Sequence, residues 1–277
     1  MTTPSETRNL ALFCDFENVA LGVREAKYAQ FNIGLVLERL LLKGSIVVKK
    51  AYCDWDRYKD FKAGMHEASF ELIEIPHVRM SGKNSADIRM VVDALDLCYT
   101  KAHVDTFVII SGDSDFSPLV SKLRENNKTV IAVGVKNSTS NLLIANCDEF
   151  IFYDDLVREQ KGSTKRAEKR PARGKANSAA AAVAAPSAPA EDKDKKQEAY
   201  DLVLATTEAL SAERGAEDKI WGSMVKQALK RRNPGFSESY YGFKSFNQLL
   251  EEAATRNLLV LERDEKSGGY IVRSASH

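Results

Sequence analysis

Apolar positions between residues 9 and 153 fall into two alternating kinds of stretch. Short, nearly unbroken runs occur at 9–14 (NLALFC), 45–52 (SIVVKKAY), 71–78 (ELIEIPHV), 106–111 (TFVIIS), 129–135 (TVIAVGV) and 149–153 (EFIFY). Runs rich in β-branched and aromatic residues, with little polar alternation, predict strands covered on both faces. The proline in 71–78 puts that strand nearer the sheet edge. Between the runs, apolar residues recur at helical spacing. One such stretch is 31–43, closed by Gly44, and a short one covers 61–69. In 85–99, Ile88, Val91, Val92, Leu95 and Cys98 are expected to form one core face. Further helices are expected after Phe116, with Ser117 as N-cap and Pro118 in the first turn, and over 139–147. Strands alternating with helices at this spacing predict a parallel, three-layer α/β/α domain.

The pattern breaks at Arg158. Residues 157–196 run through a basic stretch, an Ala/Pro-rich stretch of low complexity and a mixed charge run, and read as a flexible linker. Helical spacing returns over 197–213, 219–231 and 243–254, followed by strands at 258–262 and 269–272, an order that predicts a small winged helix. Charge divides with the domains. Residues 1–157 carry 18 Lys and Arg against 22 Asp and Glu, and the remainder carries 22 against 17. The rear half is thereby suited to a polyanion and the front half to chemistry that uses carboxylates. The four cysteines are far apart and the histidines isolated, which excludes a disulfide framework and a zinc-ligand spacing. The N-terminus is polar and no apolar run is long enough for a bilayer, so a cytoplasmic protein is expected.

Carboxylates gather where strands end. Asp113 and Asp115 follow the 106–111 run, Asp15 follows the first run, and Asp87 falls in the first turn of the 85–99 helix. Asp93 is a fifth acid, six positions after Asp87 and off its helix face. Singly, each has a structural explanation, as a turn cap or a partner of a helix dipole. Together, past the carboxyl ends of a parallel sheet, they would repel one another unless protons or cations intervened. Oxygen donors without Cys or His suit Mg²⁺ or Mn²⁺ rather than zinc. Such ions can activate water and steady the leaving oxygen of a phosphodiester; one ion and two both remain open.

DFEN at 15–18, KNSADIRMVVDAL at 83–95 and SGDSDF at 111–116 resemble the NYN domain of the PIN-like nuclease superfamily, closest to its LabA-like branch, over residues 8–156. The resemblance implies a PIN-like Rossmannoid fold and a metal-dependent endoribonuclease. By motif position, Asp15, Asp87, Asp113 and Asp115 would hold the metal, Asn18 would orient the site, Asp93 would match a further acidic position, and Lys83 would touch a phosphate.

Residues 197–273, through WGSMVKQALKRRNPGFSESYYGFKSFNQLLEEA and the closing GGYIV, resemble the OST-HTH (LOTUS) domain. That resemblance implies a winged helix that binds RNA and, in some members, protein partners. Lys226, Lys230, Arg231, Arg232 and Lys244 would give phosphate contacts, with Tyr240 and Tyr241 as stacking surfaces. Phe243, Phe246 and Leu249 are expected in the core instead. Basic residues of the linker, from Lys165 to Lys175, would add salt-sensitive affinity for RNA. The combined expectation is an RNA-cleaving enzyme with a tethered RNA-binding module. The alternatives are a non-catalytic RNA-binding or adaptor protein and a haloacid-dehalogenase-like phosphatase. Phe16, Glu17 and Asn18 do not match the Asp-x-Asp opening of the last.

Overall fold

The computed structural model describes residues 8–75, 85–168, 189–214, 219–264 and 268–274. They form two compact units, divided after Val157. In the first unit, strands β1 (Asn9–Asp15), β2 (Ser45–Cys53), β3 (Glu71–Glu74), β4 (Thr106–Ile110), β5 (Thr129–Gly134) and β6 (Glu149–Phe152) form one sheet. Its order is β3-β2-β1-β4-β5-β6, and every neighbouring pair is parallel. The short β3 lies at an edge, as expected for that run; the rest of it, from residue 76, lies outside the described residues.

Alternation along β1 assigns the two cores. Leu10, Leu12 and Cys14 face one side, where they meet α1 (Phe16–Glu25), α2 (Ile33–Leu41) and α3 (Lys59–Glu67). Ala11 and Phe13 face the other side, against α4 (Ser85–Thr100), α5 (Ser117–Glu125) and α6 (Asn141–Asn146). The three-layer expectation holds. All four cysteines are free and buried, which fits an inert packing role.

Three local features depart from the sequence pattern. Helix α1, which the apolar runs do not announce, starts directly after Asp15 and buries Phe16, Val19 and Val23 at helical spacing. The core face of α4 is Met90, Ala94 and Cys98, whereas Ile88 and Val92 are exposed. Ser117 does not cap α5: a 3₁₀ turn over Ser114–Phe116 intervenes, Phe116 holds the cap position, and the buried Ser117 hydroxyl has no hydrogen-bond partner among the described residues.

Phe16 anchors the entry to α1. Its ring lies 5.0 Å from Trp55, 5.1 Å from Phe61, 5.7 Å from Tyr58 and 6.0 Å from Phe31. The second residue of the DFEN run therefore serves packing. Phe16→Ala is expected to cost about 3–5 kcal/mol in urea unfolding, the usual scale for emptying a buried aromatic site. A loss under about 1 kcal/mol would mean that the neighbouring rings close the cavity.

The second unit contains α8 (Pro189–Arg214), α9 (Gly222–Arg232), α10 (Phe246–Thr255) and an antiparallel hairpin of β7 (Leu259–Arg263) and β8 (Tyr270–Ser274). Its core gathers Tyr200, Val203, Val225, Leu229, Phe243, Phe246, Leu249 and Val272. An extra bridge joins Trp221 to Ile271, so the segment entering α9 lies along the hairpin. The stretch read as linker is helical at both described ends, because α7 (Tyr153–Glu168) runs into it and α8 begins within it. Glu, Lys, Gln, Arg and Ala dominate those ends, and these residues favour helix even without a core to cover. Residues 169–188 lie outside the described set.

Candidate active site

In a 3-2-1-4-5-6 sheet the chain's direction of winding reverses between β1 and β4, and the crevice beyond their carboxyl ends is where such folds bind ligands. Asp15 ends β1 there, and Ser111, Gly112 and Asp113 follow β4. Hydrogen bonds tie the two ends together. Asp15 Oδ1 accepts from the Asn18 backbone N–H at 3.4 Å, capping α1, and Oδ2 accepts from Ser111 Oγ at 3.0 Å. Ser111 Oγ in turn accepts from the Asp113 N–H at 3.2 Å. Asn18 Oδ1 accepts from the Gly112 N–H at 2.9 Å, so this side chain braces one strand end against the other. Asp113 Oδ1 caps the 3₁₀ turn by accepting from the Asp115 N–H at 3.0 Å.

The electrostatics follow from burial and crowding. Asp15 is 7% exposed, and its carboxyl is pushed from its ordinary value of 3.8 to about 7. Burial is the largest cause, and the neighbouring charges of Asp87 and Asp113 add to it against the hydrogen bonds from Ser111 and Asn18. Burial also raises Asp87, followed by the charges of Asp113, Asp115 and Glu17. Asp87 and Asp113 thus act on Asp15, and Asp113 and Asp115 on Asp87, although Asp15, Asp87 and the 113–115 pair are far apart in sequence.

Glu17 is a fifth acid of this group, and the strand-end pattern does not single it out. It follows Asp15 by two positions and pairs with Arg57 at 3.3 Å. Its place in the first turn of α1 is the signal that could have found it, given that helix. Asp93 belongs elsewhere. Its carboxylate accepts from Tyr52 Oη at 2.9 Å and Arg89 Nε at 3.0 Å, and Lys50 Nζ lies 3.5 Å away. Those partners balance the charge of Asp93 on the sheet side of α4. Lys83 lies outside the described residues.

The crowded acids have the donor chemistry for a hard divalent cation. Among the described residues no three acids stand close enough to enclose an ion with the side chains as they are. Ligation would therefore need side-chain adjustment within the crevice.

In the second unit, the basic residues expected to meet phosphate sit mainly on the later turns of α9. Lys226 pairs with Glu238 at 2.7 Å, Arg231 Nε donates to Gln227 O, and Arg232 Nη1 donates to Ala205 O at 3.2 Å. Arg231, Arg232 and Lys244 are exposed, while Lys230 is only partly so. Of the two tyrosines expected to stack on bases, Tyr241 is buried against Phe236, with ring centroids 5.2 Å apart, and is a core residue. Tyr240 is partly exposed.

Comparison with known proteins bears on the first unit. An uncharacterized protein of Methanocaldococcus jannaschii is 32% identical over 120 residues, 41% of this chain. The match spans 45% of that relative's length. A crystal structure of a protein of unknown function from Vibrio parahaemolyticus is 27% identical, covering 56% of this chain and 98% of that one, with a TM-score of 0.49. The NYN domain model matches residues 9–154, just over half of the sequence and nearly the whole of the sheet domain. The chain therefore belongs to the NYN domain family, a PIN-like family to which ribonuclease activity is ascribed.

Proposed function

We propose that this protein is a metal-dependent endoribonuclease whose C-terminal unit binds the RNA that the NYN domain cuts. The observation that carries the reading is the cluster of Asp15, Asp87, Asp113 and Asp115 at the β1–β4 reversal, with the first two carboxyls raised by burial and by their neighbours. Nucleases of this family typically use divalent metals. The four carboxylates fit Mg²⁺ or Mn²⁺ by donor type, and a bound ion would supply Lewis-acid stabilisation to the scissile phosphodiester. Asp15 and Asp113 would hold it from the two strand ends, and Asp87 and Asp115 from the helix and the 3₁₀ turn. Asn18 and Ser111 are positioning residues: through Gly112, Asp15 and Asp113 they hold both strand ends in one arrangement.

The second unit supplies what an acidic crevice lacks. Its resemblance to the OST-HTH domain and the basic end of α9, with Lys226, Lys230, Arg231 and Arg232, and with Lys244 ahead of α10, suit RNA phosphates. A tether between the units raises the concentration of bound RNA near the acids. Among the described residues no helix is long and apolar enough to cross a membrane.

A second reading is an RNA-binding adaptor without turnover, because the basic end of α9 suits RNA phosphates with or without chemistry at the acids. Cleavage of a labelled single-stranded RNA separates the two. Wild type is expected to cut with Mn²⁺ and to stop in EDTA, and Asp113→Asn is expected to lose at least about 100-fold in rate, the scale of removing a preorganised electrostatic group. RNA that is bound but never cut, whatever divalent metal is supplied, would make the adaptor the better account.

A further inference from the structure

Helix α4 carries a second surface that the acidic crevice does not use. With Met90, Ala94 and Cys98 turned to the core, the outward side presents Ile88, Val92 and Tyr99, and Leu95, which also packs partly against the core, lies between Val92 and Tyr99. Ile88 is 63% exposed, Val92 55% and Tyr99 65%, while Leu95 is partly covered. At about 100° per residue the four fall within roughly 60° of arc, a continuous apolar stripe along three turns. Tyr99 Oη accepts from Asn126 Nδ2 at 3.3 Å, which steadies the ring at the end of the stripe. Contiguous exposed apolar surface of this kind marks an interaction site more often than scattered residues do.

The order of the stripe and the charges beside it suit a second copy of the chain. The spacing is four, three, four, which reads the same from either end. An antiparallel second copy, related by a two-fold axis between Asp93 and Ala94, would set Ile88 against Tyr99 of that copy and Val92 against its Leu95. Charges on the rim agree. Arg89 and Asp96 are both exposed and lie on the same edge of the stripe. In the antiparallel arrangement Arg89 comes within roughly 3 Å, along the axis, of Asp96 of the second copy. Arg89 uses Nε on its own Asp93, and the guanidinium has further donors beyond that one. The two-fold repeats the pair, as an isologous contact requires.

We infer that the exposed face of α4 is a self-association surface through which two copies of this chain pair antiparallel. One helix from each copy is a small interface, so the dimer is expected to be weak, in the micromolar range. Ile88 directly follows Asp87, so pairing would brace the turn that delivers one carboxylate to the crevice.

Sedimentation velocity on the full chain, from low to high micromolar concentration, tests this without reference to cleavage. Wild type is expected to pass from monomer to dimer. Val92→Glu, with an unchanged circular dichroism spectrum, is expected to raise the dissociation constant at least about tenfold, and Tyr99→Ser to act in the same direction. Asp96→Arg alone is expected to weaken pairing, and Asp96→Arg combined with Arg89→Glu to restore it. A wild type that stays monomeric would overturn the inference, as would a dimer indifferent to Val92→Glu. Failure of the charge exchange to rescue pairing would overturn the antiparallel arrangement.

Discussion

Asp15→Asn is expected to melt higher than the wild type in metal-free buffer at pH 8 and to lose RNA cleavage by at least about 100-fold. The gain in stability follows from linkage. An unfolded Asp15 releases its proton near 3.8, whereas the folded protein holds it to about 7. Below pH 3.8 the carboxyl is protonated in both states and costs nothing. Between 3.8 and 7 the unfolded chain ionises first, so stability drains away as pH rises, and above 7 the full cost is present. At 1.36 kcal/mol per unit, that cost is roughly 4 kcal/mol as an upper scale.

An asparagine removes the charge and keeps the shape. Ser111 Oγ, which now donates to Asp15, can turn and accept from the new amide while still accepting from the Asp113 N–H. Saturating Mn²⁺ is expected to raise the wild type's melting temperature and narrow the gap, because a ligand that binds only the folded state stabilises it. The variant, lacking one of the proposed ligands, should respond far less. Melting curves at pH 4 and pH 8, in EDTA and in Mn²⁺, read all of this. A variant that melts lower than wild type at both pH values in EDTA would show that Asp15 is held as a favourable charge. The crowding argument would then fail.

Much of this site is legible in the amino-acid sequence. Apolar runs mark the strands, and the acids at their ends follow from where a parallel sheet exposes its chemistry. What the sequence does not reveal is set by contacts between distant positions. Ser111 looks like an ordinary residue after a strand, yet it bridges Asp15 and Asp113 because β1 and β4 are neighbours 96 positions apart. Asp93 reads as a candidate ligand until β2 supplies Lys50 and Tyr52 beside it. The outward face of α4 escapes periodicity for a related reason. Val91, Val92, Leu95, Leu97 and Cys98 surround much of that helix, so the pattern offers more than one core face. The small side chain of Ala94, between Met90 and Cys98, lets the sheet approach on the face that wins. Helix α1 is hard to see although Phe16, Val19 and Val23 have the right spacing. Gly22 weakens the helical signal, and it is there because a side chain at that position would collide with Ser138.

The second unit is readable as three helices and a hairpin because its apolar spacing is regular, and the order of elements comes through. Its core chemistry separates less well. Tyr240 and Tyr241 are adjacent and alike in sequence, but Tyr241 stacks on Phe236 and donates through Oη to Glu198 at 3.2 Å. A pair of tyrosines can suggest a stacking platform, and only packing reveals which ring is committed to the core.

Gly112→Ala is expected to lower cleavage at least about 100-fold, since displacements near 1 Å around a reacting centre cost that much, and to lower stability by about 1–3 kcal/mol. A glycine after a strand often serves a left-handed turn, but the Gly112 backbone is not among the left-handed residues. Space is what requires glycine. A Cβ there would lie 2.5 Å from the Ser138 carbonyl oxygen and 3.0 Å from Thr139 Cα, both backbone atoms that cannot swing aside. The Gly112 carbonyl also accepts from the Ser140 N–H at 2.9 Å, and its own N–H donates to Asn18. A methyl group must therefore push the 135–140 loop and the end of β4 apart, carrying Asp113 and the brace through Asn18 with them. Gly64→Ala is the matched control, because nothing lies within 4 Å of a Cβ on that exposed helical residue. It should stabilise by up to about 1 kcal/mol and leave cleavage unchanged. Thermal melts and cleavage rates of the two variants decide the matter. If Gly112→Ala cuts RNA as fast as Gly64→Ala, the close approach of the 135–140 loop does not hold the acids in place.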